Sequence, residues 1–448
     1  MTKVLNTDFP RVGFLRFLRH ASNIVKNPLP FHHANFERLG DTFELRIGPA
    51  ASVIFSKNAD YLRYTLQKNQ RNYTKSKIQT RDLAKYVGRG LLTAEGDHWQ
   101  RQRKLIQPAF HKKQLQLLLD TMQKVIAVEL QKIKLDEAAN IHEVFNDLAF
   151  QTVIKTLFSG GVTAEQIAQL QRTTEEAQQM MVKELRQPFL VWWFKSSGKI
   201  KKHLDAVGEA RKVLKELVNQ RRASGKRYDD LLDMLLDARY DDGSEIEEQQ
   251  LIDEILILFV AGHETTSNAL TFTCELLARH PQVLQKVQQE ALALTRSGAD
   301  IMTMLKEAVY IQQVLQESMR LYPPAYFIDR VNYKEDHLGD YRLPEDSTLL
   351  FSVYEIHRSE TYWERPLEFD PDRFDPQQPR QHSDYYFPFG AGPRMCIGNN
   401  FAMYEMILVI IQLFSAFSLE EKTTPIQIRP LITLKPKDAI LVFHQYES

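Results

Sequence analysis

The amino-acid sequence predicts a mainly α-helical protein with a smaller region of β-sheet. Apolar residues recur at helical three-and-four spacing from about residue 97 to residue 320, with Gly or Pro at the breaks. Alternating strand patterns lie outside this stretch. No Pro/Gly/Ser-rich linker, low-complexity tract or internal repeat divides the 448 residues. We therefore expect a single domain over residues 1–448, although single cores usually stop growing near about 250–300 residues.

The clearest strand signal is a hairpin near the N-terminus. Residues 42–47 and 52–55 have strand patterns on either side of the turn Gly48-Pro49-Ala50-Ala51. Short strand patterns recur farther along the chain, at residues 323–354, 426–434 and 439–444. We expect the strands from the N-terminal and C-terminal parts of the chain to form one smaller sheet.

Two helices are predicted to lie inside the protein. The longer runs from about residue 247 to 279 and stops before Pro281, and its middle, ILILFVAG, is apolar on every side. The second follows Cys396, from residue 400 to about 417. The α-rich portion is therefore expected at about residues 97–320 and 399–417. The most polar stretch, around residues 221–242, is predicted to be a surface turn between helices.

Composition excludes several classes of protein. Lys plus Arg and Asp plus Glu both number 57, so the formal net charge is zero, which argues against a nucleic-acid-binding protein. Two cysteines form no disulfide framework and are compatible with the reducing cytoplasm. The apolar runs are too short to span a bilayer, and the N-terminus has no signal-peptide pattern. We expect a soluble, cytoplasmic monomer without a membrane anchor.

The most informative segment is a glycine-rich loop around Cys396. Gly390, Gly392 and Gly398 allow the backbone to turn sharply and to lie close to a flat group. The apolar helix begins just after the loop, so its N-terminus should stabilise a thiolate. A buried structural cysteine is the usual alternative for a lone cysteine, and it is our interpretation of Cys274.

The same loop carries a family signature. Phe389, Gly392, Arg394, Cys396 and Gly398 match the F-x-x-G-x-R-x-C-x-G motif of the haem-thiolate monooxygenases, the cytochrome P450 family. The chain resembles that family from about residue 43 onward, with five motifs in the family's order. The resemblance implies the cytochrome P450 fold, haem b as the cofactor, contact of Phe389 with it, Cys396 as the axial iron ligand and Arg394 paired with a haem propionate. Thiolate ligation favours O–O cleavage.

A second motif lies in the long helix. Small Ala261 and Gly262 allow close approach of a flat cofactor, and Thr265 could bond to a freed backbone carbonyl. A purely structural threonine is the alternative. The run of residues 261–266 resembles the family's oxygen-binding motif, which implies that Thr265 and Glu264 are the catalytic residues that manage protons. His263 occupies a variable position of this motif and is interpreted as structural.

A third motif combines Glu317 with Arg320, which lie three residues apart on one helix face. In isolation such a pair is usually a solvated surface salt bridge. The pair resembles the family's E-x-x-R motif, and Pro371–Phe374 resembles its downstream element. The resemblance implies that Glu317, Arg320 and Arg373 form a buried charge triad that supports the cysteine loop.

Four further residues are candidates for binding the haem propionates. Trp99 and Arg103 form W-x-x-x-R on one helix face, which is also typical of an ordinary amphipathic helix with a half-buried Trp. The resemblance places both at a propionate, an anion that would be costly to bury alone. His98 and Arg330 are further candidates.

The resemblance implies a monooxygenase that inserts one oxygen atom from O2 into a small, largely apolar substrate. Hydroxylation is the expected outcome, or O-dealkylation where the attacked carbon carries an alkoxy group. A fatty acid or terpenoid is the first expectation for the substrate, and oxidation or O-demethylation of a polar small molecule is the alternative. A peroxygenase on the same scaffold and a non-enzymatic haem or gas sensor remain competing functions. Intact Glu264-Thr265 argues against the peroxygenase, and the lack of an output domain argues against the sensor.

Position along the chain also predicts which segments line the substrate pocket. Within the first of them, Lys75, Lys77, Arg81 and Lys85 either grip a substrate carboxylate or form a solvated helix face. The predicted lining consists of residues 75–87, 173–194, 324–328 and 429–433, with Phe259 and Val260.

Electrons are expected to come from NAD(P)H through separate redox partners. The sequence shows no Gly-rich phosphate loop after a strand and no cysteine set for an iron–sulfur cluster. We therefore expect a soluble ferredoxin or flavodoxin with its reductase, docking near Cys396. Arg101 and Lys104 are candidate contacts for an acidic ferredoxin.

Overall fold

The computed structural model describes residues 8–48, 51–378 and 382–446, and it confirms the predicted fold class. Helices dominate from residue 96 to residue 321, interrupted by one short strand. The helices are α1 (Phe14–Lys26), α2 (Leu29–Leu39), α3 (Ala59–Arg63), α4 (Ala84–Val87), α5 (Gly96–Ile106), α6 (Lys112–Leu115), α7 (Leu119–Leu130), α8 (Ile141–Leu157), α9 (Ala164–Arg186), α10 (Val191–Ser196), α11 (Lys199–Ser224), α12 (Leu231–Asp237), α13 (Glu248–Leu277), α14 (Pro281–Arg296), α15 (Ile301–Glu307), α16 (Val309–Leu321), α17 (Val353–Ile356) and α18 (Asn399–Phe414).

The strands are short and form several separate sheets. The largest has six strands in the order β1-β2-β3-β9-β6-β4, and the smaller ones pair β10-β13-β5, β11-β12 and β7-β8. The strands are β1 (Arg11–Val12), β2 (Thr42–Arg46), β3 (Ser52–Ser56), β4 (Tyr73–Thr74), β5 (Ala138–Asn140), β6 (Phe327–Asn332), β7 (Asp336–Leu338), β8 (Tyr341–Leu343), β9 (Thr348–Ser352), β10 (Phe417–Leu419), β11 (Gln427–Pro430), β12 (Leu434–Lys437) and β13 (Ile440–Gln445).

The predicted hairpin is confirmed, whereas the predicted sheet composition is correct only in part, since β6 and β9 join the hairpin in one sheet. Strands β2 and β3 pair antiparallel, with Thr42 opposite Ser56, and residues 49 and 50 of the turn lie outside the described part of the chain. The C-terminal strands do not join this sheet, because β13 pairs with β10 and with β5 from the helical region. Alternation of apolar residues predicts a strand, but strand partners depend on contacts between distant segments.

Helix α13 crosses the interior, as its apolar sequence predicts. It packs along α8, and its side chains from Asn268 to Leu277 are all buried. Cys274 lies in this stretch and is fully enclosed, so its assignment to the core is confirmed. The second interior helix, α18, is also largely buried. In the described part of the chain, no helix is both long and apolar enough to span a membrane.

The prediction of a surface turn at residues 221–242 is wrong in part. Helix α12 lies within this stretch. Arg221, the first residue of the stretch, is buried. Its guanidinium donates to the carboxylates of Asp230 and Asp233, each at 2.7 Å. A polar sequence does not distinguish solvated side chains from charges that are buried as a fully hydrogen-bonded group.

Candidate active site

The cysteine loop is held in a conformation that only glycine permits at one position. Gly392 has φ +70°, and a Cβ at this residue would lie 2.0 Å from the carbonyl oxygen of Leu66. The backbone N–H of Cys396 donates to the carbonyl of Phe389 at 2.9 Å, which closes the loop. The segment before Cys396 is therefore fixed against the turn that contains Leu66.

Cys396 is accessible, although protein surrounds it on most sides. Burial raises the pKa of the Cys396 thiol, and the Gly398 N–H and the Arg103 guanidinium act in the opposite direction. The N–H of Gly398, the residue that precedes α18, therefore favours the thiolate, but burial outweighs this contribution. Arg103 lies beside the loop and donates to the Met395 carbonyl at 2.9 Å.

One strip of α13 is open within an otherwise buried stretch of helix. Leu258, Ala261, Gly262 and Thr265 keep accessible surface, whereas residues 266–277 are buried throughout. These four residues recur at three-and-four spacing, so they share one helix face. Two of them are Ala and Gly, so a flat ligand could approach the backbone there closely.

The prediction that Phe259 lines the pocket is wrong. Phe259 is fully buried against Phe150, with ring centroids 5.7 Å apart, and Leu258 occupies the open strip instead. A run that is apolar on every side does not reveal which face is open. His263 is buried too and forms a hydrogen bond through Nδ1 with the Phe259 carbonyl, as a structural role requires.

Thr265 and Glu264 have different partners although they are adjacent in the chain. The Thr265 hydroxyl donates to the Ala261 carbonyl at 2.7 Å. The Glu264 carboxylate accepts a hydrogen bond from the Thr433 hydroxyl and lies 3.2 Å from the Lys435 ammonium. The hydroxyl is therefore on the open strip, whereas the carboxylate is held by residues near the C-terminus.

Arg394 stacks on Trp99 and connects the cysteine loop to the start of α5. Its guanidinium carbon lies 4.0 Å from the centre of the Trp99 ring. The same guanidinium donates to the Ala94 carbonyl at 3.0 Å and to the Glu95 carboxylate. Burial lowers the pKa of Arg394, and Glu95 opposes this shift.

Lys75 and Arg330 complete a group of three cations with Arg394. Lys75 donates to the carbonyls of Leu92, at 2.5 Å, and Leu91, at 3.3 Å. Burial, Arg394 and Arg330 together lower the pKa of Lys75 to about 7, against the smaller effect of Glu95. Burial also lowers the pKa of Arg330, which lies beside Asp329.

This group of cations fits an anionic ligand. Three enclosed cations lie near two carboxylates, Glu95 and Asp329, and Arg394 already binds Glu95. Enclosing mutually repelling cations is costly unless an anion compensates them. Together with the accessible Cys396 and the open strip of α13, this surplus of positive charge fits a haem propionate. No motif contains Lys75, and the sequence predicts for it only a place in the pocket lining, gripping a substrate carboxylate or solvated.

Two predicted propionate partners lie elsewhere. His98 is exposed, and its Nε2 contacts the Arg89 carbonyl at 3.4 Å. Arg103 contacts the cysteine loop rather than the cation group. Their binding to a propionate remains a prediction.

The structure brings Glu317, Arg320 and Arg373 together in the interior. Arg320 binds both carboxylate oxygens of Glu317, at 2.6 and 2.8 Å, and neither side chain is exposed. Arg373 donates to the same carboxylate at 3.3 Å. Arg320 also donates to the carbonyls of His357 and Pro366, so every charged group has partners.

His357 links these charges to the cysteine loop. Its carbonyl accepts from Arg320 at 2.6 Å, and its ring Nε2 accepts from the Phe387 N–H at 2.8 Å. Burial lowers the pKa of His357 to about 3, and Arg320 acts in the same direction. A neutral ring is what an acceptor at Nε2 requires. No motif contains His357, so the sequence alone does not point to it.

The other cations of the predicted pocket segment are paired or solvated. Arg81 lies 2.9 Å from Asp82, and Lys85 pairs with Glu184 of α9. Lys77 is exposed.

Fold and donor set together define a haem-thiolate oxidoreductase. The family model for cytochrome P450 matches residues 6–443, and the chain belongs to the cytochrome P450 family. It is therefore a haem monooxygenase that uses O2 and takes electrons from a redox partner.

Individual relatives and a solved structure agree with this assignment. "Cytochrome P450 97B2, chloroplastic" of Glycine max is 28% identical over 90% of this chain and 80% of that protein. "Cyclooctat-9-en-7-ol 5-monooxygenase" of Streptomyces melanosporofaciens is 26% identical over 91% of this chain and 88% of that protein. The crystal structure of the cytochrome P450DA haem domain has a TM-score of 0.86 to this structure at 20% identity and covers 98% of both chains, which shows the shared fold.

Proposed function

We propose that the chain oxygenates a small, largely apolar molecule at a haem b ligated by Cys396. The observation that carries this proposal is the open strip of α13, where Ala261, Gly262 and Thr265 lie accessible within a buried helix. Bound haem supplies the oxygen-activating chemistry. The residues proposed to hold it are Cys396 at the iron, Phe389, Ala261 and Gly262 at the ring, and Arg394, Trp99, Arg103, Arg330 and His98 at the propionates.

Thr265 and Glu264 are proposed to manage protons. The Thr265 hydroxyl donates its hydrogen to the Ala261 carbonyl. Its oxygen therefore keeps lone pairs that can accept a hydrogen bond from another donor. Glu264 is the nearest acid in the sequence, but its Oε2 is paired with Lys435. Proton transfer through Glu264 therefore requires the ion pair between its carboxylate and Lys435 to break.

A fatty acid or a terpenoid is the proposed substrate. Helices α4, α9 and α10 contribute buried apolar side chains to one cluster, among them Val87, Met180 and Phe194. Val260 of α13 packs against this cluster. Such a lining favours apolar ligands. The bacterial relative named for cyclooctat-9-en-7-ol agrees with this choice. Hydroxylation is the expected reaction, or O-dealkylation of an alkoxy substrate, and O-demethylation of a polar molecule is the alternative.

Electrons are proposed to come from NAD(P)H through a ferredoxin or flavodoxin and its reductase. The candidate contacts Arg101 and Lys104 are exposed and lie 3.7 and 2.7 Å from Asp242 and Asp241. Exposed pairs of this kind are weak, so an acidic partner can displace them. We also propose a cytoplasmic monomer.

Two measurements test the proposed function: the absorbance spectrum, which reports the iron ligand, and the incorporation of labelled oxygen during turnover. Reduced, carbon-monoxide-bound protein should show the long-wavelength Soret band of thiolate ligation, Cys396→Ala should abolish it, and Cys274→Ala should retain it. Labelled O2 should then place one oxygen atom in the product when NADPH, ferredoxin and reductase are supplied. Turnover with hydrogen peroxide alone would instead indicate a peroxygenase, and oxygen binding without substrate oxidation would indicate a sensor.

A further inference from the structure

We propose that His142 controls the protonation of Glu264, the acid of the proposed proton pathway. It acts through the side chains of Asn268 and Thr433, and we call these four residues the His142 network. His142 is therefore a positioning residue. The inference rests on the proposed function, in which Glu264 manages protons, and it adds to that function a residue that no motif of the sequence contains.

Three parts of the fold meet in the His142 network. His142 lies in the first turn of α8, Asn268 in α13, and Thr433 directly before β12. The ring Nε2 of His142 lies 2.9 Å from Asn268 Oδ1, and Asn268 Nδ2 lies 3.1 Å from Thr433 Oγ1. The Thr433 hydroxyl completes the network with a hydrogen bond to Oε1 of Glu264. His142 is partly exposed, whereas Asn268 and Glu264 are buried, so the network leads from the surface to the carboxylate.

The ionised carboxylate of Glu264 fixes the direction of every hydrogen bond in the network. A carboxylate only accepts, so the Thr433 hydroxyl donates to Glu264 and its oxygen accepts from the amide N–H of Asn268. The amide oxygen of Asn268 therefore faces His142, which must donate through its Nε2–H. The ionised state of Glu264 thus requires a donor at residue 142.

Protonation of Glu264 requires the opposite direction. Oε2 faces the ammonium of Lys435, which only donates, so Oε1 is the oxygen that can take up a proton from water. The new O–H then donates to Thr433, and the Thr433 hydroxyl donates to the amide oxygen of Asn268 once that amide has rotated. The amide N–H of Asn268 now faces His142 and needs an acceptor at Nε2. Neutral imidazole with its proton on Nδ1 is such an acceptor, whereas imidazolium, a donor at both nitrogens, is not.

The charge on His142 therefore decides which direction the network can take. Burial is the largest cause that lowers the pKa of His142, and its hydrogen bond with Asn268 opposes this shift. A neutral ring lets the network reverse, so that Glu264 can be protonated, and an imidazolium holds Glu264 in the ionised form. The charged and titratable groups that face the network from the elements around it are Glu143 of α8, His263 of α13 and Lys435 of β12.

Titration of His142 tests the network without turnover. The carbon-monoxide-bound holoenzyme is isotope-labelled at the histidine nitrogens for NMR, and His142→Gln identifies the His142 signals by their loss. Thr433→Val should lower the measured pKa of His142 by about half a pH unit or more, because Asn268 is then no longer held with its oxygen toward the ring.

Thr271→Val is the matched control for this titration. Thr271 is also a buried threonine that bonds to a neighbouring group, the Ser267 carbonyl at 2.7 Å, but it lies outside the His142 network. The pKa of His142 should be the same in this variant as in the wild type. An unchanged pKa in Thr433→Val, or an equal change in both variants, would overturn the proposal.

The pH dependence of the product yield per NADPH tests the consequence for catalysis, with ferredoxin and reductase in excess. The wild-type yield should fall roughly 10-fold as the pH drops through the measured pKa of His142, since imidazolium prevents the reversal. His142→Gln should keep the yield at neutral pH and lose this fall, because its amide can present either an N–H or an oxygen to Asn268. His142→Leu should lower the yield at every pH, because it offers neither.

The outcomes separate this proposal from the proposed function. A fall in yield at the same pH in His142→Gln as in the wild type would overturn the control by His142. Product formation that never occurs, together with the expected pKa change in Thr433→Val, would count against the proposed function alone.

Discussion

Gly392 and Leu66 approach each other so closely that residue 392 has no room for a side chain. A Cβ at that position would lie 2.0 Å from the Leu66 carbonyl oxygen, and the backbone at Gly392 has a positive φ as well. Both constraints act on the loop that presents Cys396. The glycine of the signature is therefore a requirement of this contact.

Gly392→Ala should prevent the cysteine loop from closing, because neither the Leu66 backbone nor the strained φ can adapt cheaply. We expect most of the purified variant to lack haem, measured as the ratio of Soret to protein absorbance. Gly208→Ala is the matched control, since it lies in α11 with open space around its Cβ and gains helix propensity. Equal haem content in both variants would contradict the steric argument.

Glu317→Ala should strongly destabilise the protein. It leaves the charges of Arg320 and Arg373 without their buried carboxylate, at a cost of about 3–5 kcal/mol. Glu368→Ala removes a carboxylate that binds Arg365 at the same three-residue spacing, but that pair is exposed and should contribute less than about 1 kcal/mol. Urea unfolding measures both free energies. If both variants lost a similarly small free energy of unfolding, burial of the triad would contribute nothing to stability.

Lys75→Met should weaken haem retention in a pH-dependent manner. The pKa of Lys75 is about 7 without an anion, and a bound propionate should raise it. The contribution of Lys75 to haem affinity is therefore complete below pH 7 and is lost as the pH rises through the raised pKa.

The measurement is the rate of haem transfer to excess apomyoglobin at several pH values. At pH 6.5 the variant should lose haem roughly 10-fold faster than the wild type, and the difference should shrink toward pH 10. Lys77→Met, at an exposed neighbour, should match the wild type. A rate ratio that is constant with pH would exclude a charge contact by Lys75.

Thr265→Val should uncouple electron consumption from product formation. The variant keeps the shape of the side chain but loses the hydroxyl that lies on the open strip of α13. We expect the yield of product per NADPH to fall roughly 10-fold or more, with the thiolate Soret band intact.

Thr273→Val separates this role from a structural one. Thr273 lies in the same helix and donates to Ala269 at 2.8 Å, as Thr265 does to Ala261 at 2.7 Å, but it is fully buried. This variant should keep the wild-type yield. Equal losses in both variants would mean that the bond to the helix backbone, rather than the open hydroxyl, is what matters.

The sequence allowed prediction of those parts of the site that lie within short motifs. The loop at Cys396, the pairing of Glu317 with Arg320 and the hairpin of β2 and β3 each depend on local spacing, and the structure places them as expected. Three-residue spacing was sufficient to place Glu317 and Arg320 on one face.

The remaining parts depend on how distant segments are oriented. Phe259 and Leu258 are both apolar, so only the packing of α13 against α8 decides which of them lies in the open strip. Lys75 joins Arg330 and Arg394 across more than 250 residues of chain, and His357 reaches the loop through a single hydrogen bond. Local patterns carry no information about such contacts.

The bond between Arg394 and Glu95 spans 299 residues of chain. At about 5–20 residues per second, a ribosome adds Arg394 roughly 15–60 s after Glu95. During that interval Trp99 and Glu95 belong to a nascent chain in which the cysteine loop does not yet exist. Cofactor binding that needs both elements therefore cannot be completed before the cysteine loop has been synthesised. Folding of the helical region and binding of haem are therefore separated in time, whatever the rate at which that region folds.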